Sequence, residues 1–179
     1  MKILKNVLKN KLNIRTEKDY PIKGIEFIDI TPLLLDKDLY SEIISLFEEE
    51  IKNKKVDYIL APEARGFLLG SSLAHALNVG LIPVRKEGKL PPSSVEAKME
   101  YEKEYGMDIL ELPKLVNDNY KDKNFYIIDD IYATGNTMNS IKDKIIELGG
   151  NVIGTGVIMN IKELNNSNDV FSLIDINES

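Results

Sequence analysis

The sequence predicts an α/β fold: a mainly parallel, twisted sheet flanked by helices, preceded by a small N-terminal segment over roughly residues 1–35 and continued as one body over 36–179. Three observations predict it. Apolar runs rich in Val, Ile and Tyr alternate with amphipathic stretches; the runs are nearly continuous, as strands buried on both faces require; and no Gly/Ser linker, repeat or low-complexity tract divides them. Val56–Leu60, Leu81–Val84, Phe125–Ile128 and Val152–Met159 read as strands, and Tyr40–Lys52, Phe67–Leu77 and Met138–Leu148 carry apolar residues at helical spacing. Gly149-Gly150 places a helix C-terminus. Glu87–Gly106 fits neither period, and so long an irregular stretch reads as a lid or mobile loop.

Composition narrows the function. With 43% hydrophobic residues in 179, a substantial core can form. The net charge is -6 and Trp is absent, which argues against a general basic field for nucleic acid, so any anion site is a local arrangement. There is no cysteine, which excludes disulfides, thiolate metal sites and cysteine nucleophiles, and fits a reducing, cytoplasmic location. The opening Met1–Lys9 interrupts its apolar residues with lysines, unlike a signal peptide, and no run reaches the ~20 apolar residues of a membrane span.

The most informative segment is Phe125–Met138, which runs strand, acid pair (Asp129-Asp130), small-residue loop (Ala133-Thr134-Gly135-Asn136-Thr137), helix. In an α/β sheet, ligands bind beyond the C-terminal ends of strands, where this loop would lie. Gly135 and Asn136 tolerate positive φ, so successive amides can converge on an anion. The helix N-terminus and the Thr134 and Thr137 hydroxyls add to that cup, which suits a phosphate monoester. No lysine follows the glycine as a nucleotide P-loop requires, and no Gly-x-Gly-x-x-Gly is present. Asp129 and Asp130 would repel a phosphate, so they face hydrogen-bond donors or positive charge; a ribose diol with a divalent cation nearby meets that need. A plain N-cap after two solvated carboxylates explains any one of these features, but not the run as a whole.

With these residues in view, the chain resembles the type I phosphoribosyltransferases, and their adenine branch most closely. Five segments over about Asp19–Met159 carry the resemblance: Gly24–Pro32, Glu63–Gly70, Val84–Pro91 (Val-Arg-Lys-Glu-Gly-Lys-Leu-Pro), Glu104–Glu111 (Glu-Tyr-Gly) and the acid-pair run. The resemblance implies the type I phosphoribosyltransferase fold, with residues 1–35 as a hood. It implies Mg2+-dependent transfer of the 5-phosphoribosyl group from 5-phosphoribosyl-1-pyrophosphate to adenine, giving AMP and pyrophosphate.

By the same resemblance, Asp129 and Asp130 hold the ribose and Ala133–Thr137 its 5′-phosphate. Glu63, Ala64 and Arg65 form the pyrophosphate loop, in which such enzymes often carry a cis non-proline peptide. Arg85, Lys86 and Lys89 supply further cations, in part across a homodimer interface. Pro91–Ser94 begins a lid, Glu104 is a candidate general acid or base, and Arg65, Asp129 and Asp130 complete the catalytic group. Ile25, Glu26, Phe27 and Ile28 lie at the base, and Mg2+ arrives on the substrate's pyrophosphate.

Four positions, Glu26, Ile28, Glu87 and Asn136, depart from the family. Phe27-Ile28-Asp29 stands where Phe-Arg-Asp is usual, preceded by Glu26, which bears on the base selected. Asn136 replaces a second glycine, and Glu87 places an acid beside the cations. Two other functions fit parts of the sequence. One is the same chemistry on another purine base. The other is a non-catalytic regulator sensing the sugar pyrophosphate, suggested by Lys2, Lys5, Lys9, Lys11, Arg15, Lys18 and Lys23 against only Glu17 and Asp19 before Gly24.

Overall fold

The computed structural model describes residues 15–20, 22–24, 26–103, 106–165 and 167–176, apart from the side chains of Glu26, Glu102 and Lys103. The chain divides into two compact units, Met1–Leu46 and Phe47–Ser179.

In the first unit, β1 (Arg15–Lys18) pairs antiparallel with β2 (Glu26–Asp29), Arg15 opposite Asp29 and Lys18 opposite Glu26. Asp19, at φ 59°, closes the connection by accepting the Gly24 N–H at 2.7 Å, and Tyr20 meets Phe27 edge-on at 5.3 Å. A short helix α1 (Thr31–Leu35) begins with Pro32 in its first turn, where a missing N–H costs nothing. The Asp29 carboxylate accepts the Thr31 N–H at 2.8 Å. Helix α2 (Lys37–Ile51) is capped by Asp36, whose Oδ1 accepts the amides of Asp38 and Leu39 at 3.1 and 3.0 Å.

The second unit is built on a seven-stranded sheet of order β5-β6-β4-β3-β7-β8-β9. Its strands are β3 (Tyr58–Pro62), β4 (Gly80–Lys86), β5 (Val95–Lys103), β6 (Gly106–Pro113), β7 (Asn124–Tyr132), β8 (Asn151–Ile161) and β9 (Val170–Ile176). The pairs β3·β4, β3·β7, β7·β8 and β8·β9 are parallel, and only β4·β6 and β5·β6 are antiparallel. Helix α3 (Gly66–Leu77) packs on one face, where Gly70 has no side chain because a Cβ would lie 2.6 Å from that of Ala61. On the other face Ile141 and Ile145 of α4 (Asn136–Glu147) join Phe125 and Ile127 in the core. Ile59, Leu60, Leu69, Leu73, Ile127 and Ile128 are fully buried, and each such side chain contributes about 1.5–3 kcal/mol.

Both helix ends follow local chemistry. Asn78 (φ 54°) and Gly149 (φ 80°) take the left-handed conformation. In each case two amides then return to carbonyls of the last turn: Asn78 and Val79 to His75 and Ala74, Gly149 and Gly150 to Ile146 and Ile145. The parallel strands therefore all end at one edge of the sheet, and the loops that follow β3, β4, β7 and β8 meet there.

The expected irregular stretch Glu87–Gly106 is corrected. After a tight turn and one 3₁₀ turn (Pro92–Ser94), residues 95–103 form β5, a strand paired with β6 from Val95 opposite Pro113 to Lys103 opposite Gly106, with one register shift between Val95 and Ala97. The alternation is present in the sequence: Met99 and Tyr101 are buried, while Glu96, Lys98 and Glu100 are exposed. Helix-forming residue types on an edge strand, buried on one face only, obscured the period of two.

Candidate active site at the strand tips

β3 ends at Pro62, and Glu63, Ala64 and Arg65 turn directly into α3; the Glu63–Ala64 peptide is cis. Gly66 opens the helix because a Cβ there would meet Pro62 Cδ at 2.9 Å and Asp129 Oδ1 at 3.0 Å. This brings the start of α3 against the acid pair on β7. Arg65 Nε lies 2.9 Å from Asp130 Oδ2, with Asp130 3% exposed. The sequence-predicted pyrophosphate loop and ribose-binding pair are thus in direct contact.

Asp129 is half-buried, and its Oδ1 accepts the Asp130 N–H at 2.9 Å. Burial, and next the neighbouring Asp130 carboxylate, push the Asp129 carboxyl well above its ordinary value. One guanidinium faces two carboxylates, so the pair holds uncompensated negative charge and is suited to hydrogen-bond donors or a cation.

Beyond Tyr132 the chain forms the loop Ala133–Gly135 and enters α4 at Asn136. Gly135 has φ 86°, and its Cβ would lie 2.2 Å from the Tyr132 hydroxyl, so both backbone and space require glycine. Gly135 has no side chain to cap α4; the Asn136 N–H donates to Thr134 Oγ1 at 3.5 Å, and the positive end of the helix dipole lies at this loop. Thr134 and Asn136 are exposed, and Ala133 and Thr137 half-buried.

The cations after β4 are arranged differently from one another. Arg85 Nε donates to Glu63 Oε2 at 3.0 Å, and the Lys86 amide donates to the same oxygen at 3.0 Å. The Lys86 amide first, then Arg85, hold the Glu63 carboxyl below its ordinary value against the opposing effect of burial. Arg85 also lies over Phe67, 5.7 Å from the ring centre. Glu63 thus orients the strand-tip cations, while Lys86 and Lys89 are exposed.

Glu87 accepts from Lys98 at 2.7 Å, and Lys98 is also 3.1 Å from Glu111, which is 2% exposed and accepts the Gly88 N–H at 3.2 Å. The acid that departs from the family pattern is therefore engaged on the hairpin. Lys98 and Glu111 were not singled out in the sequence; their pairing follows from the β5·β6 register, which sets Lys98 opposite Glu111. Asn165, which reaches into the Ala133 loop, carried no motif at all.

Glu104 and Ile25 lie outside the described residues, as does the side chain of Glu26. Phe27 is half-buried and Ile28 buried. Among the described residues no helix is long and apolar enough to cross a membrane.

A doubly covered, mainly parallel sheet whose tips carry this loop set is the type I phosphoribosyltransferase fold. Residues 33–177 match the phosphoribosyl transferase domain family, and the chain belongs to that family. An adenine phosphoribosyltransferase of Clostridium acetobutylicum is 41% identical over 172 residues, covering 93% of this chain and 98% of that protein. One from Brachyspira hyodysenteriae is 43% identical over 157 residues, covering 88% and 90%. The crystal structure of adenine phosphoribosyltransferase from Thermoanaerobacter pseudethanolicus is similar at a TM-score of 0.85 and 39% identity, covering 94% of this chain and 99% of that one. The Saccharomyces cerevisiae enzyme, complexed with an imino-altritol bisphosphate and adenine, is similar at a TM-score of 0.83 and 35% identity, covering 97% and 100%.

Proposed function

We propose that this chain transfers the 5-phosphoribosyl group of 5-phosphoribosyl-1-pyrophosphate to adenine, releasing AMP and pyrophosphate, and so serves purine salvage. The contact between Arg65 and Asp130 carries the reading, because it sets a guanidinium suited to a pyrophosphate beside carboxylates suited to a ribose diol. The base nitrogen bonds to the anomeric carbon as the bond to pyrophosphate breaks with its electron pair, and the base loses one proton. Asp129 and Asp130 accept hydrogen bonds from the ribose hydroxyls. Thr134–Thr137 offer amides and hydroxyls to the 5′-phosphate. Arg65, with Lys86 and Lys89, faces the charge that grows on the leaving pyrophosphate, and Glu63 keeps Arg85 oriented.

Asp129 and Asp130 also fit a hard divalent cation by their oxygen donors, but two carboxylates fall short of the six oxygens Mg2+ takes. The remainder would come from the substrate's pyrophosphate and water. When bound there, Mg2+ supplies neutralisation of the leaving group. Glu104 is the group assigned to the base's proton, and Ile25, Glu26, Phe27 and Ile28 to the base, by resemblance. The working form is a homodimer in the cytoplasm, the exposed Lys86 and Lys89 being available to a neighbouring subunit.

Each purine base offered with 5-phosphoribosyl-1-pyrophosphate and Mg2+, with pyrophosphate release followed, tests the reading. Adenine is expected to react at least a hundredfold better than guanine or hypoxanthine, a floor below the roughly 10⁴-fold discrimination that polar groups left unpaired can impose. Reaction of guanine or hypoxanthine alone would overturn the adenine assignment and leave the sugar chemistry standing.

A further inference from the structure

We infer that Asn165, in the connection between β8 and β9, is a positioning residue that aims the phosphate loop. The inference rests on the proposed role of Ala133–Thr137 in holding the 5′-phosphate. Asn165 Nδ2 donates to the carbonyl of Ala133 at 2.7 Å, to Asn160 Oδ1 at 2.9 Å and to the carbonyl of Ile161 at 2.9 Å. Its Oδ1 accepts the Ser167 N–H at 3.1 Å. Two amide hydrogens shared among three oxygens, with the oxygen end also engaged, fix the side chain in position and orientation.

The consequence for the loop follows from peptide geometry. Among the described residues Glu63–Ala64 is the one cis bond, so Ala133–Thr134 is trans, with its C=O and N–H pointing in opposite directions. Because the Ala133 carbonyl is held toward Asn165, the Thr134 N–H points away from the β8–β9 connection. The Asn165 amide occupies the carbonyl side of this peptide, so a phosphate meets the Thr134 N–H from the other. Asn165 thereby turns an amide toward the anion, and Gly135, at φ 86°, carries the chain on into α4.

Asn160 supports this reading. It is fully buried, beside Tyr132 in the β7·β8 register, and its own Nδ2 has no hydrogen-bond partner. A buried unpartnered donor costs about 1–3 kcal/mol, and an apolar residue on this strand would avoid that cost. What Asn160 contributes in return is the acceptor that holds Asn165 in place. Asn165 is 32 residues from Ala133, so the contact joins two loops at the sheet edge that share no sequence motif.

The test is titration of wild type, Asn165→Ala and Asn165→Asp with ribose 5-phosphate, beside steady-state kinetics. Asn165→Ala is expected to weaken ribose 5-phosphate binding and to raise KM for 5-phosphoribosyl-1-pyrophosphate, each about tenfold, as loss of one aligned hydrogen bond to a charged group does. KM for adenine and kcat at saturating sugar pyrophosphate should stay within about twofold to threefold. Asn165→Asp should weaken binding further, since it sets a carboxylate oxygen against three acceptors. A purely structural role would lower the melting temperature and leave the ribose 5-phosphate affinity unchanged, and that result overturns the inference. Should Asn165→Ala melt below the assay temperature, Asn165→Ser, too short to reach Ala133, is read by the same criteria. If wild type binds ribose 5-phosphate no better than ribose, the phosphate assignment of the loop fails, which is a separate result from equal binding by wild type and variant.

Discussion

Replacing Asp129 by Asn should make the free protein more stable and the enzyme much slower. Asp129 and Asp130 are adjacent and poorly solvated, and the Arg65 guanidinium lies 2.9 Å from Asp130, so the native state holds a repulsion that the unfolded chain relieves. The raised Asp129 pKa means that the folded state binds more protons than the unfolded one from the ordinary carboxylate pKa upward. This group's contribution to stability therefore falls as pH rises through that window to the folded value. Asparagine is nearly isosteric, is neutral, and keeps an oxygen for the Asp130 N–H now held at 2.9 Å. Removal of the like charge is expected to stabilise by about 1 kcal/mol at pH 7, in the usual range for relief of a functional site, or about 2–4 °C in Tm for a chain of this size. The same change removes a charge-assisted acceptor from the ribose, worth about 1.5–3 kcal/mol, so kcat/KM should fall roughly tenfold to a hundredfold. Thermal melting at pH 5 and pH 8, with kinetics on the same samples, measures both effects. The gain in Tm should be larger at pH 8. A variant that melts below wild type at pH 8, or that turns over at the wild-type rate, refutes the reasoning.

Gly135→Ala should cost about 2 kcal/mol or more in urea denaturation and abolish most activity, because φ 86° is strained for alanine and the new Cβ meets the buried Tyr132 ring. Tyr126→Phe should raise stability by about 1 kcal/mol in the same assay, since the Tyr126 hydroxyl is fully buried without a partner where Gly154 and Gly156 make room for the ring. Glu111→Ala should lower stability by about 1–2 kcal/mol, as it removes the carboxylate that accepts the Gly88 N–H, while the pair with half-exposed Lys98 adds little. Equal melting of Glu111→Ala and wild type would show that the hairpin and the turn after β4 are held by other contacts.

The core of the fold was legible because strands buried on both faces must be apolar throughout. Leu81–Val84, Phe125–Ile128 and Val152–Met159 each fall inside an observed parallel strand, and Val56–Leu60 overlaps β3 but runs two residues ahead of it. The edges were harder to read. In β5, Glu96, Lys98 and Glu100 alternate with Ala97, Met99 and Tyr101, but most of these are helix-forming residue types, which masks their period of two. β9 is polar at Ser172 and Asp175, so its largely apolar run Val170–Ile174 carries little strand signal. The acid pair and its loop were legible as a local motif, since each residue acts within a few positions of the next. The contacts that organise them were not: Arg65 to Asp130, Glu63 to Arg85 and Asn165 to Ala133 all join segments distant in sequence, and only the strand order brings them together.

Binding of 5-phosphoribosyl-1-pyrophosphate in the presence of Mg2+, measured by titration calorimetry on wild type and on the Asp129→Asn/Asp130→Asn double variant, addresses the strand-tip site itself. Loss of at least a hundredfold in affinity, with the double variant still folded, is the expected result. Equal affinity in the two proteins would place the sugar somewhere other than beside this acid pair.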